Sequence, residues 1–442
     1  MKNYFSLFYF LVIAFLIAAC SDSDGEEVTV DTEALGKDGV SNSEIPAINL
    51  LVDDVMHSLY LWADETPTLS NEKLASYENP QDLVDAFKSE EDRFSFIIQS
   101  EPDNARIASS KDVGTGIIWG VSSGRIYVVH VLKGSPADLA GVTRGDVISE
   151  IDGATASLNT ALALSERVLR SFDLKLTNLS GGDERSVSVA SEILDVEYVS
   201  EHQVISWNGN KIGYLLFDAY EEASISALND AFSEFKQENV RYLVLDLRYN
   251  GGGSVSVARH LASLIYGKGT TDDILLREIF NEEYSSENAV VTFSPQTQLG
   301  LDLDKLYVIT GGGTASASEL TIHNLRPYMD VITVGQTTYG KNVGSILIQE
   351  EGYDFFPISF RVTDVNGDGD YGDGIAPDIS DARDWIDVPL GSVSESRLRA
   401  ALEDISPNSA ARVAEEKHQS VDVPVVGTQS LIDYNLKVNL TE

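Results

Sequence analysis

The stretch KLYVITGGGTASASELTIHNL, residues 305–325, carries the most informative pattern in the sequence. An apolar run is followed by glycines and small hydroxyl residues, and then by an acidic residue and a second apolar run. The pattern predicts a strand over 305–310, a tight turn and a helix from about Ala317. A serine in such a turn, such as Ser316, is exposed beside free N–H groups at the helix start, which can stabilise an oxyanion.

A nucleophilic serine needs a base, and the six histidines of the chain form no recognisable triad. His323 follows Ser316 by two helical turns, about 10 Å, and we expect it to be a packing or surface residue. The alternative base is Lys341 in TTYGKNVG, residues 337–344. Burial in an apolar pocket can lower the pKa of a lysine enough for it to accept a serine proton. Taken alone, the Gly-Lys pair is weak evidence, and a solvated surface lysine is the default interpretation.

A third motif, LDLRYNGGG, spans residues 245–253 and joins an apolar strand to three glycines. Glycines permit close approach of the backbone to a ligand, and one N–H here could complete an oxyanion hole with the N–H of Ala317. By itself, a strand that ends in three glycines predicts only a turn.

The periodicity of the chain predicts a multidomain α/β protein. Helical spacing dominates from about Ile45 to Ile98, short β runs with Gly-rich turns follow, and strands alternate with helices beyond residue 196. This alternation favours an α/β layer with largely parallel strands. A further helix is expected near 396–405. The predicted divisions are a signal peptide (1–19), an acidic tether (20–44), a helical segment (45–103), a β domain (104–195), a catalytic domain (196–395) and a C-terminal extension (396–442).

The β domain contains LKGSPADLAGVTRGDVISEIDG, residues 132–153, which resembles the PDZ domain in its bacterial, protease-associated form. The resemblance implies that an upstream loop receives the C-terminal carboxylate of a peptide through its N–H groups. That loop consists of Gly114, Thr115, Gly116 and Ile117. Glycines allow successive N–H groups to converge on an anion, and a strand edge can accept an added peptide strand. The alternative is that these glycines only form a tight hairpin.

The three motifs, in this order and behind a PDZ-like domain, resemble the S41 family of serine peptidases, the C-terminal processing or tail-specific proteases. The resemblance covers about residues 45–395, including DRFSF at 92–96, and implies a catalytic domain of the ββα, crotonase-like type. It implies an envelope endopeptidase that acts on protein or peptide substrates without a cofactor. It assigns these roles: nucleophile Ser316, base Lys341, orienting acid Glu319, and oxyanion-hole donors Gly252, within one position, and Ala317.

Two residues depart from the family pattern. Ser345 stands where the family usually has a glutamine that helps to hold the dyad, and Asn342 stands where glycine is common. A non-catalytic binding protein with an S41-like fold is therefore the competing hypothesis. Ser318 is a second candidate nucleophile, but the spacing of 25 residues from Ser316 to Lys341 fits the family. An esterase with the same acyl chemistry has no specific support.

Residues 1–20, MKNYFSLFYFLVIAFLIAAC, have the layout of a secretory signal and end in a sequence that resembles the bacterial lipobox. The resemblance accounts for Cys20, the only cysteine in the sequence, as a lipidation site, and it implies an outer-membrane lipoprotein. An uncleaved anchor helix is the alternative, because the apolar run is about long enough to span a bilayer. The acidic stretch after Cys20 resembles the surface-export signal of Bacteroidetes lipoproteins, with a solvated charge run as the alternative.

Composition excludes two classes of function. Lys and Arg number 31 against 70 Asp and Glu, and the formal net charge of −39 opposes binding to nucleic acids. A single cysteine excludes an intrachain disulfide and a cysteine-based zinc site.

Asp364, Asn366 and Asp368 have the spacing of a calcium loop, but Ile375 at its twelfth position supplies no carboxylate. We expect a solvated Gly-Asp hairpin there, with a divalent cation as the alternative.

Overall fold

The computed structural model describes residues 44–100, 113–165, 169–179, 182–295, 298–380 and 382–407, and the backbone of 425–427. The predicted signal peptide, Cys20 and nearly all of the predicted tether lie outside the described residues. Two compact units divide the described chain, with 44–46 and 69–76 in one unit and all other residues in the second. None of the helices in the described ranges has the length and apolarity needed to cross a membrane.

The N-terminal segment is helical, as its periodicity predicts. It contains α1 (Ala47–His57), α2 (Asn71–Ala75), α3 (Pro80–Phe87) and strand β1 (Phe96–Gln99). Helix α3 begins at Pro80, and the Asn79 side chain accepts a hydrogen bond from the N–H of Gln81, an arrangement that favours a helix start. The apolar faces of α1 and α3 pack together through fully buried side chains such as Val52 and Phe87.

The β domain is an antiparallel sheet with two short helices. Its elements are β2 (Val113–Gly114), β3 (Ile117–Ser122), β4 (Arg125–Val131), α4 (Pro136–Leu139), β5 (Asp146–Ile151), β6 (Ala154–Thr155), α5 (Leu158–Leu162), β7 (Arg170–Asn178) and β8 (Arg185–Ile193). The strand order is β2-β8-β7-β5-β4-β3, with β6 paired to β5. The predicted helix start at Pro136 is confirmed, and Gly141 follows that helix with φ +77°, which favours glycine.

Beyond the β domain, strands and helices alternate. The elements are β9 (Val199–Trp207), β10 (Asn210–Phe217), α6 (Ile225–Gln237), β11 (Tyr242–Asp246), α7 (Val255–Ile265), β12 (Ile274–Phe280), β13 (Ala289–Thr292), β14 (Lys305–Thr310), α8 (Ala317–Leu325), β15 (Val331–Gly335), β16 (Val343–Ser345), β17 (Ile348–Glu350), β18 (Tyr353–Phe356), β19 (Ile358–Thr363) and α9 (Ser396–Ile405). A last strand, β20, spans Val425–Gly427. Short 3-10 turns occur at Ala63–Glu65, Ala163–Ser165, Glu222–Ser224 and Ser285–Glu287.

The central sheet has the order β15-β14-β11-β10-β9, in which β15, β14, β11 and β10 are parallel and β9 is antiparallel. Alternate residues face opposite sides. Leu243 and Leu245 lie in one core with α6, α7 and α8, whereas Val244 and Ile309 lie in a second core with α9. The predicted α/β layer is therefore confirmed. The sequence did not predict two antiparallel sheets, β13-β12-β19-β16 and β1-β18-β17.

A buried charge cluster lies behind the carboxyl end of β11. Arg248, fully buried, donates through Nε to Asp246 at 2.9 Å and through Nη1 and Nη2 to Glu395 at 2.9 Å. Its Nη1 also donates to Asp384 Oδ1 at 3.0 Å, and Arg144 of the β domain donates to the same oxygen. Burial alone would raise the pKa of Asp384, but the nearby Arg144 and Arg248 outweigh burial and lower it. The cluster thus joins the β domain to the loop after β11.

Candidate active site

Two loops meet at the carboxyl edge of the central sheet, one after β11 and one after β14. These strands are parallel neighbours, so their ends lie side by side. Thr314 Oγ1 donates to the carbonyl of Leu247 at 2.7 Å, and the N–H of Ala315 donates to the carbonyl of Asn250 at 3.2 Å. The structure therefore brings together the GGGTASASE and DLRYNGGG motifs, which lie far apart in the sequence.

Ser316 occupies the residue before helix α8 with φ +55°. A non-glycine residue at positive φ is uncommon, and such strain concentrates at functional sites. Ser316 is partly exposed. Ser318, by contrast, is fully buried and its hydroxyl donates to the carbonyl of Asn250 at 3.0 Å. Of the two candidate serines, Ser316 is the one that a substrate could reach.

The Glu319 carboxylate connects the serine turn to the lysine loop. Its Oε2 accepts from the N–H groups of Ser316 at 2.9 Å and Lys341 at 2.8 Å. Its Oε1 accepts from the N–H of Gly340 at 2.6 Å and the hydroxyl of Thr338 at 2.5 Å. Glu319 is fully buried, and this burial raises its pKa, an effect that the four donors oppose. Two donors on each oxygen match an ionised carboxylate.

Lys341 follows this loop, and its ammonium lies 5.6 Å from the centre of the Phe94 ring. Burial lowers its pKa from 10.5 to about 8, against the opposing effect of Asp92 and Glu319. The sequence predicted a lysine with a lowered pKa, but it gave no indication that Asp92 and Phe94 line its surroundings. The signal available was the DRFSF motif at 92–96, which could not by itself be placed beside Lys341.

Gly252 packs against the serine turn. A Cβ atom on Gly252 would lie 2.8 Å from Ser316 Cβ and 2.9 Å from the nitrogen of Ala317, and its φ is +103°, so only glycine fits. The N–H of Ala317 begins helix α8 and lacks an intrahelical acceptor. The N–H of Gly252, however, donates to Asn250 Oδ1 at 2.9 Å. In this conformation the predicted Gly252 donor is therefore already engaged.

Two segments of the chain match sequence models of one peptidase family. Residues 211–380 match the sequence model of Peptidase family S41, and residues 47–96 match that of the Peptidase S41 N-terminal domain. Residues 211–380 therefore carry the peptidase domain of family S41, and the protein is a serine-type peptidase.

Similar proteins agree with this assignment. The carboxy-terminal processing protease CtpA of Bacillus subtilis (strain 168) is 24% identical over 399 residues, which cover 88% of this peptidase and 80% of CtpA. A protein of Staphylococcus aureus (strain N315) that carries the name of a CtpA-like serine protease is 27% identical over 285 residues, 63% of this chain and 53% of its own length. The peptidase thus spans about half of that relative.

A solved structure also matches. The crystal structure of a protein from Bacteroides fragilis NCTC 9343, assigned to the S41 proteases, superposes with a TM-score of 0.67 at 25% identity. The match covers 80% of this peptidase and 97% of that chain. The fold of the peptidase is therefore shared over most of its length.

The two residues that depart from the family pattern have structural partners in this peptidase. The Asn342 side chain donates to the carbonyl of Gly369 at 2.8 Å, and the backbone carbonyl of Asn342 accepts from the N–H of Val362 at 3.1 Å. Ser345 lies in β16 opposite Ile358 of β19. Asn342 therefore ties the lysine loop to the acidic hairpin.

The acidic hairpin itself is closed by internal hydrogen bonds. Asp364 Oδ1 accepts from the N–H groups of Asn366 at 2.7 Å and Asp368 at 2.9 Å. Among the residues that the structure describes, no group of three or more His, Cys, Asp or Glu side chains could hold a metal ion. Asp364 is buried in this turn, whereas Asn366 and Asp368 are exposed.

The loop predicted to bind a peptide carboxylate lies between β2 and β3. Gly116 has φ +81°, and a Cβ atom there would overlap the Ser135 side chain at 2.1 Å. Thr115 is fully buried, and its Oγ1 accepts from the N–H of Ile117 at 3.2 Å. The loop therefore needs a glycine at 116, and one of its N–H groups, that of Ile117, is already bonded within the loop.

Glu319→Gln tests the role of this carboxylate. An amide presents one acceptor oxygen where two oxygens accept now, so the substitution leaves buried donors unpaired at a cost of about 1–3 kcal/mol. We also expect kcat to fall about 100-fold, because small misplacements of reacting groups are that costly. Denaturant unfolding and peptidase assays measure the two effects.

Glu403→Gln is the matched control, because Glu403 forms an exposed i,i+4 pair with Arg399. It should change the free energy of unfolding by less than about 0.5 kcal/mol. Equal effects of the two substitutions would contradict the bridging role of Glu319.

Proposed function

We propose that this peptidase is an endopeptidase that cleaves partly unfolded protein substrates with Ser316 as nucleophile and Lys341 as base. The observation that carries the proposal is the bridge through Glu319, which accepts hydrogen bonds from the backbone N–H groups of both residues. The lowered pKa of Lys341, about 8, adds to it, because only a neutral amine can accept a proton.

The reaction follows from these groups. Neutral Lys341 takes the Ser316 hydroxyl proton as the oxygen attacks a peptide carbonyl, and the lysine then returns the proton to the leaving amine. The N–H of Ala317 stabilises the oxyanion, and that of Gly252 joins it by exchanging Asn250 for the substrate. Water, deprotonated by the same lysine, releases the acyl group from Ser316 and restores the enzyme.

Ser316→Ala and Lys341→Ala should each lower kcat for an unfolded protein substrate by about 1000-fold or more. The double variant should be no worse than either single variant, because residues that act as a unit are not additive. For the wild type, kcat/KM should rise through a pH of about 8, since Lys341 loses its proton there. Time courses of substrate cleavage across pH 6–10 provide the measurement.

Ser318→Ala is the matched control for the choice of serine. It removes a buried hydroxyl that donates to the carbonyl of Asn250 and leaves the partly exposed Ser316 in place, so most of the activity should remain. Loss of activity in Ser318→Ala with retention in Ser316→Ala would reverse the assignment. If the wild type binds peptide without cleaving it, and Ser316→Ala and Lys341→Ala bind peptide equally well, the protein is a binding protein and not a peptidase.

We further propose that the β domain is a PDZ domain that binds peptide C-termini along the edge of β3. The support is a strand that is added there by the chain itself: β20 pairs antiparallel with β3, Val425 opposite Gly120 and Gly427 opposite Trp119. Its direction leads toward the Gly114–Ile117 loop, the direction of a peptide whose carboxylate reaches that loop. Strand β20 and a substrate would then compete for one edge.

Val425→Pro combined with Gly427→Pro tests this competition. Proline lacks the N–H of a ladder and breaks the pairing, so a short fluorescent peptide with an apolar last residue should bind about tenfold more tightly once the edge is free. Fluorescence anisotropy measures the affinity. The same peptide with an amidated C-terminus should bind weakly to both proteins; unchanged affinity of the double variant, or indifference to amidation, would argue against the proposal.

We also propose that the mature peptidase is an outer-membrane lipoprotein attached through Cys20. The support is the sequence alone, an apolar run that ends in Ile-Ala-Ala-Cys at residues 17–20. Lipid attachment would keep an acidic protein near a bilayer whose anionic headgroups repel it.

Cys20→Ser should abolish incorporation of a fatty-acid probe by cells that express the protein. It should also release part of the protein from the membrane fraction, since the acyl chains supply the membrane affinity. Gel fluorescence and fractionation provide the measurements. A probe signal that persists in Cys20→Ser would contradict the proposed site.

A further inference from the structure

The segment DRFSF, residues 92–96, lies against the lysine loop although about 250 residues separate them in the chain. Arg93 Nη2 donates to the carbonyls of Gly340 at 3.2 Å and Gly372 at 2.9 Å. The Phe94 ring contacts the Tyr339 ring, with centroids 5.9 Å apart. The segment therefore touches the residues on the N-terminal side of Lys341 directly.

Internal hydrogen bonds make this segment rigid. The buried Asp92 accepts through Oδ1 from the N–H groups of Phe94 at 2.8 Å and Ser95 at 2.9 Å. Its Oδ2 accepts from the hydroxyl of Tyr60 on the N-terminal segment at 2.9 Å. The Ser95 hydroxyl in turn accepts from the N–H of Ile358, the first residue of β19. The backbone that carries the Phe94 ring is therefore held by the residues on both sides of it, Asp92 and Ser95.

The Lys341 ammonium has an unusual environment. In the described ranges, its Nζ makes no hydrogen bond or ion pair, and the Phe94 ring, itself 4% exposed, lies 5.6 Å away. An aromatic ring excludes water yet attracts a cation only modestly. The charged groups that act on the ammonium are Asp92 on this segment and Glu319 on α8. The Arg93 guanidinium is also near, because it donates to the carbonyl of Gly340, the residue before Lys341.

We propose that the N-terminal segment supplies part of the peptidase site, with the Phe94 ring covering the Lys341 ammonium and the Asp92 carboxylate acting as its countercharge. Asp92 and Phe94 are positioning residues, since they act on the base and not on the substrate. The inference rests on the proposed role of Lys341 and extends it: the base is tuned by a domain outside the catalytic sheet.

The two residues act in opposite directions on the proton affinity of Lys341. The ring keeps water from the ammonium and so favours the neutral amine, whereas the Asp92 carboxylate favours the ammonium. Removal of the ring should raise the pKa of Lys341 and removal of the carboxylate should lower it. A purely structural role would not produce shifts of opposite sign.

The experiment measures kcat/KM of the full-length protein against pH for Phe94→Ala, Phe94→Leu and Asp92→Asn. The acid limb of the profile is the pH range over which kcat/KM rises as Lys341 loses its proton. For the wild type its midpoint is expected near pH 8. In Phe94→Ala the limb should move up by about one unit, so that activity at pH 7 falls about tenfold and recovers at higher pH. Phe94→Leu should keep the acid limb at the wild-type pH, because the leucine side chain still shields the Lys341 ammonium from water. In Asp92→Asn the limb should move below that of the wild type.

Phe96→Ala is the matched control for lost packing. Phe96 is buried on the same segment and stacks on Phe356 with centroids 4.6 Å apart, away from the lysine. It should lower the melting temperature about as much as Phe94→Ala without moving the limb. If Phe94→Ala does not fold, Asp92→Asn carries the test alone, because asparagine keeps the oxygen that accepts from Phe94 and Ser95.

The outcomes separate this inference from the proposed function. If Lys341→Ala abolishes activity while the limbs of Phe94→Ala and Asp92→Asn coincide with the wild type, the inference is wrong and the dyad stands. Shifts of the same sign in both variants, or an equal shift in Phe96→Ala, would also overturn it. If Lys341→Ala remains active, the dyad itself is wrong.

Discussion

The arrangement of the site depends on one buried carboxylate, that of Glu319. A carboxylate without access to water is costly unless donors replace its hydration. Here the donors are three backbone N–H groups and one hydroxyl, and they come from two loops, the serine turn and the lysine loop. If either loop moved away, the buried carboxylate would lose hydrogen-bond donors that replace its hydration, at a cost in free energy. The backbones of Ser316 and Lys341, the proposed nucleophile and base, are thereby held together by an interaction that involves neither of their side chains.

A second buried charge lies at the start of the loop after β11, which contains the proposed oxyanion donor Gly252. Arg248 follows β11, and its guanidinium is surrounded by Asp246, Asp384 and Glu395. Removal of one partner from such a cluster leaves an uncompensated charge, at a cost of about 3–5 kcal/mol. Asn250 and Gly252 follow Arg248 by only a few residues. The ion pairs of Arg248 therefore restrict the path of the backbone that leads to them. Rigid support of this kind suits an oxyanion hole, whose donors must be in place before charge develops.

The sequence predicted those features that local pattern determines. The strand and helix around Ser316 follow from an apolar run, glycines and a second apolar run, and the observed bounds, Lys305–Thr310 and Ala317–Leu325, agree. Spacing and family resemblance led to the dyad hypothesis. Contacts between distant segments leave no periodic signal, so the position of the Phe94 ring beside the Lys341 ammonium and the pairing of β20 with β3 were not predicted. Nor could spacing reveal that Asn250 already accepts the N–H of Gly252.

The same charge cluster makes the β domain and the catalytic sheet energetically dependent on each other. Arg144 of the β domain donates to Tyr249 at 2.6 Å and to Asp384, whose same oxygen also accepts from Arg248. One carboxylate oxygen thus compensates two guanidinium groups, one from each domain. A displacement of Arg144 would remove one of the two guanidinium groups that neutralise Asp384 and so change the hydrogen bond between Asp384 and Arg248. Arg248 lies four residues before Gly252, the proposed oxyanion donor. The two domains therefore cannot be treated as independent modules joined by a linker, because the low dielectric of the interior makes every charge in the cluster sensitive to the others.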